Sequence, residues 1–75
     1  MDFNALARLI ASFDCDPGLP ESVFNAAYDI LFSINTDWAE KFTGFIDATD
    51  GEFYLPSNNR DGWDTLIAKI RNGTH

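Results

Sequence analysis

The chain has 75 residues, 45% of them hydrophobic and eleven aromatic, which is too apolar for a disordered polymer and long enough for one small core. Its net charge of −7 is concentrated: residues 14 to 52 hold nine acids against Lys41, while the flanks nearly cancel. That balance argues against direct binding to a phosphate backbone and for a protein partner with a basic surface.

A single domain over residues 1–75 is expected. A lone cysteine, Cys15, forms no internal disulfide, and no basic-then-apolar leader or long apolar run appears. A cytoplasmic location and no membrane association follow as expectations. Asn72-Gly73-Thr74 matches the N-x-T glycosylation pattern, a three-residue coincidence without an export signal.

From Asp2 to Phe13 the spacing predicts a first helix, with Asp2 as N-cap and Phe3, Leu6, Ala7, Leu9, Ile10 and Phe13 on an apolar face of roughly 160°. Asp16-Pro17-Gly18 stops it, and Pro20 suits the first turn of a second helix from Glu21 to Ile34. This second helix is the element the rest is expected to pack around. Its apolar residues cover an arc of roughly 200°, leaving Glu21, Ser22, Asn25, Asp29 and Ser33 on the wet side. Phe32 breaks that pattern by falling in the polar sector, with Tyr28 at its edge. The first two helices are expected to form a hairpin.

Asn35-Thr36-Asp37 ends the second helix and starts a short third one, with Asp37 and Glu40 spaced as a capping box and Gly44 just past its end. Beyond it the period changes to two. Phe45 to Thr49 and Glu52 to Leu55 flank Asp50-Gly51, the signature of a hairpin with a type I′ turn. In that register Thr49 faces Glu52, Ala48 faces Phe53, Asp47 faces Tyr54 and Ile46 faces Leu55, so Ile46, Ala48, Phe53 and Leu55 share one face. The competing reading continues the third helix to Ala48. A last helix over residues 62 to 72, capped by Asp61 and ended by Gly73, presents Trp63, Leu66, Ile67 and Ile70.

The resulting fold class is a helix-dominated α+β domain in the order α-α-α-β-β-α with one short hairpin, the alternative being an all-α four-helix bundle. Its core should draw on Phe3, Leu6, Ile10, Val23, Ala27, Ile30, Leu31, Ile34, Phe42, Phe53, Leu66 and Ile70.

Catalytic constellations are scarce, and the chain is not expected to be an enzyme. The sole histidine is the terminal His75, and Cys15 lies between Asp14 and Asp16, which would raise its pKa and blunt its reactivity. The five glycines never cluster into a phosphate loop. Ser57-x-Asn59-x-Asp61-Gly62 imitates half of a calcium loop, but Ala68 stands where the bidentate Glu belongs. No cofactor or metal is expected.

What remains is a surface. Asp29, Asp37, Glu40, Asp47, Asp50 and Glu52, with Tyr28 and Phe32 between them, compose an acidic, aromatic partner-binding face. The expected function is that of a non-enzymatic acidic binding module. It would inhibit a nucleic-acid-handling protein by mimicking nucleic acid, in the manner of phage or mobile-element anti-restriction and anti-CRISPR inhibitors. The alternative is a small homodimeric adaptor using the Tyr28/Phe32 ridge.

Overall fold

A computed structural model describes residues 2–14 and 18–73. The chain runs α1 (Phe3–Ala11), β1 (Leu19–Pro20), α2 (Glu21–Ile34), α3 (Thr36–Phe45), β2 (Asp47–Thr49), β3 (Glu52–Tyr54), a 3-10 turn (Ser57–Asn59) and α4 (Arg60–Asn72). Helix dominates, and the three strands form one antiparallel sheet in the order β1-β3-β2. The α+β class therefore holds, and the four-helix alternative does not. The order expected from the sequence lacks only β1, whose two residues leave no period to read.

β1 reorganises the first half of the chain. Leu19 pairs with Phe53 and Pro20 with Glu52, so the start of α2 is fixed at the sheet. Gly18 permits this approach, because a Cβ there would stand 2.5 Å from the Phe53 carbonyl oxygen. The expected α1/α2 hairpin is thereby replaced: α1 packs chiefly against α4, and α2 against α3. The stop expected at Asp16-Pro17 lies outside the described residues.

The hairpin has the register read from the sequence, Asp47 to Tyr54, Ala48 to Phe53 and Thr49 to Glu52. Its turn is left-handed at both central residues, Asp50 at φ 55° and Gly51 at φ 80°, as a I′ turn requires. Ile46 and Leu55, which flank the strands, are buried and Phe53 is half-buried, but Ala48 is exposed on the edge strand β2.

Four boundaries shift for identifiable reasons. α1 ends at Ala11 rather than Phe13, because its last turn tightens, with the Phe13 amide donating to the Ile10 carbonyl at 3.2 Å. The cap of α3 is Asn35, whose Oδ1 accepts from the amides of Asp37 (2.9 Å) and Trp38 (3.4 Å), so Asp37 lies inside the first turn. α3 continues through Gly44 to Phe45, where the Asn59 side-chain amide donates to the Phe45 carbonyl at 2.8 Å. α4 starts at Arg60 rather than after an Asp61 cap, since the 3-10 turn closed by Asn59 N–H to Pro56 O runs directly into it. The expected caps at the chain's two ends are present: Asp2 accepts from the amides of Asn4 and Ala5, and Gly73, at φ 66°, ends α4.

The buried side chains form one cluster. An aromatic chain threads it. Phe13, at the end of α1, meets Phe24 and Phe42 edge-on, Phe24 stacks on Phe53 at 4.5 Å, and Phe42 and Phe45 both reach Trp63. Of the expected core, Leu6, Ile10, Ala27, Leu31, Phe42, Leu66 and Ile70 are buried, whereas Phe3, Val23, Ile30, Ile34 and Phe53 remain half-exposed at its margin. α2 is therefore peripheral. Only Ala27 and Leu31 on it are fully buried, while α4 buries four residues. No helix among the described residues is long and apolar enough to cross a membrane.

Candidate functional site

The predicted partner-binding residues divide into three groups. On α2, Tyr28 and Phe32 stand one turn apart with ring centroids 5.8 Å from each other and planes inclined at 30°. Phe32 is 51% exposed, the one large apolar side chain so exposed among the described residues. Asp29, next on the wheel, is exposed and points away from the buried Ala27 and Leu31.

A second group belongs to the sheet. Because paired residues share a face, Leu19, Ala48 and Phe53 look toward α2, while Pro20, Asp47, Thr49, Glu52 and Tyr54 form the outer face. The 3.3 Å contact between the hydroxyls of Thr49 and Tyr54 lies on that outer face. Asp47, Asp50 and Glu52 are exposed there and at the turn. They are separated from the Tyr28/Phe32 ridge by the sheet itself, so the expected site is not one continuous face.

Asp37 and Glu40 make the third group, on the outside of α3. The Asp37 carboxylate is engaged by Lys41 one turn on, at 3.0 Å, an exposed i, i+4 pair. Among the described residues Asp29, Glu40, Asp47, Asp50 and Glu52 have no ion pair.

The outer sheet face is also one wall of a groove of about 640 Å3, an arrangement that sequence reasoning missed. Thr49, Asp50, Glu52 and Tyr54 line one side, and Asp14 and Arg60 another. Arg60 Nη2 lies 2.7 Å from both carboxylate oxygens of Asp14, joining the end of α1 to the start of α4. This hydrogen bond, then the charge of Asp14 and that of Asp64, raises the Arg60 pKa above its ordinary value. A raised basic pKa stabilises the fold fully below the unfolded value and is lost only as pH climbs through the folded one. Arg60 therefore confers no pH dependence in the neutral range. The pair spans 46 residues of sequence, and periodicity carries no signal for such contacts.

No cluster of three or more His, Cys, Asp or Glu side chains suited to a metal ion exists among the described residues. The half calcium loop has become the 3-10 turn and first turn of α4, a backbone that cannot wrap a cation. Cys15 and His75 lie outside the described residues. Compared with known protein families, curated proteins and solved structures, the chain matches none.

Proposed function

We propose that the protein is a non-enzymatic acidic binding module that inhibits a nucleic-acid-handling protein by presenting carboxylates to its cationic groove. The observation supporting this reading is the distribution of charge over the fold. α2, the three strands and the hairpin turn carry Glu21, Asp29, Asp47, Asp50 and Glu52, all exposed, and no base. All five bases (Arg8, Lys41, Arg60, Lys69 and Arg71) sit on α1, α3 and α4. Arg60 closes the groove beside the outer sheet face and Lys41 lies on α3, which packs on α2, so the acids are in excess on these elements rather than alone, and such an excess steers encounter with a basic partner.

The test is capture of the partner from the cells of origin, followed by measurement with the isolated pair. Inhibition by mimicry requires affinity that falls with added salt, competition by DNA or RNA, and unequal losses when Asp29, Asp37, Glu40, Asp47 and Glu52 are neutralised singly. A partner bound equally by all five variants, indifferent to salt and nucleic acid, would reduce the charge to a solubility device. The adaptor reading, which uses the Tyr28/Phe32 ridge for self-association, is told apart by solution mass: a monomer at micromolar concentration ends it.

A further inference from the structure

We infer that the outer stripe of α2 is a docking helix, and that its occupant is an apolar groove of another protein with Lys or Arg side chains on the rim. The inference rests on the binding-module reading and adds to it the mode of engagement and the anchoring residue. At 100° per residue, Glu21, Asn25, Tyr28 and Phe32 fall within about 60° of one another, with Asp29 directly beside Phe32. The stripe thus runs most of the length of the helix, from Glu21 to the tilted aromatic pair of Tyr28 and Phe32. Helices that lie in grooves are read through such i, i+4, i+7 anchors.

Two observations choose the occupant. The first is charge. Glu21 lies in the stripe and Asp29 beside it, and α2 contains no base, so a rim of cations complements it. A second copy of this chain, with net charge −7, would bring like charges together on the same stripe. The second is the anchor itself: a half-exposed Phe beside a Tyr is the size of a side chain that fills a pocket.

The experiment titrates the full 15N-labelled chain at low salt with two synthetic peptides of equal positive charge, an amphipathic Leu/Lys helix and a Lys/Ser peptide without apolar residues. The expected result is amide shifts concentrated on residues 21 to 33 for the Leu/Lys peptide. Phe32→Ser should lower affinity for that peptide at least tenfold while leaving the Lys/Ser peptide within twofold of the parent. Asp29→Lys provides a second variant, read by the same titration, and should weaken both peptides. The inference is overturned if Phe32→Ser binds the Leu/Lys peptide within twofold of the parent. It is equally overturned if the shifts centre on Tyr54 and Arg60, or if the unliganded chain proves to be a dimer that Phe32→Ser dissociates. Failure of nucleic acid to compete for a captured partner would end the mimicry reading alone and leave the Phe32 dependence standing.

Discussion

The amide of Leu55 donates to the carbonyl of Phe13 at 3.1 Å, tying the end of β3 to the end of α1 across 42 residues of chain. The Phe13 side chain beneath this bond is fully buried and meets both Phe24 and Phe42, so it joins α1 to α2 and α3 at once. Phe13→Ala should cost about 3–5 kcal/mol, enough to unfold most of a domain this small. Chemical denaturation would show it, and Phe13→Leu, which keeps most of the volume, should recover more than half of the loss.

The backbone at the sheet predicts a graded response. Gly51 is at φ 80°, so Gly51→Ala should cost about 1–2 kcal/mol through strain alone, there being open space around it. Asp50→Gly relieves the positive φ at the neighbouring position and should be neutral or slightly stabilising. Gly18→Ala faces the Phe53 carbonyl instead and should separate β1 from β3. Thermal melts of the three variants should rank Asp50→Gly highest and Gly18→Ala lowest.

These elements also mark where sequence reasoning succeeds. The hairpin and its register were legible because Asp50-Gly51 fixes both turn type and pairing, leaving no freedom to the strands. The apolar face of α4 was legible because Trp63, Leu66, Ile67 and Ile70 repeat at helical spacing and are all buried. The central position expected of α2 failed for a physical reason. An apolar arc states what a helix can bury, and with β1 drawing its start to the sheet, Val23, Ile30 and Ile34 pack against the core only in part. The groove beside Tyr54 was invisible for a similar reason, since it depends on Arg60 reaching Asp14. Of the candidate site, the exposure of Phe32 was read correctly from its wheel position; the division of the acids between α2, the outer sheet face and α3 required the fold.

Phe32 separates binding from folding. It is half-exposed and among the described residues its one ring partner is Tyr28, so Phe32→Ala should change stability by no more than about 0.5 kcal/mol, with the better helix propensity of Ala offsetting the lost ring contact. Tyr28 is less exposed, and Tyr28→Ala should cost more. Denaturant midpoints for the two variants would establish which can serve as a clean probe of partner binding.

The start of α3 offers the sharpest test of a local assignment. Two residues compete for the cap by type, Asn35 and Asp37, and the geometry gives the role to Asn35, whose backbone is extended at φ −159° and whose Oδ1 takes two amides of the first turn. Asn35→Ala should therefore cost about 1 kcal/mol, within the 0.5–2 kcal/mol seen for lost caps. Asp37→Asn removes only an exposed ion pair with Lys41 and a favourable charge in the first turn, and should cost about 0.5 kcal/mol or less. Salt distinguishes them further. The Asp37 effect should shrink toward zero in about 1 M salt, where the Debye length is near 3 Å, while the Asn35 effect, a neutral hydrogen bond, should persist. Equal losses at both positions, or a loss at Asp37 that survives high salt, would return the cap to Asp37 and move the first turn of α3.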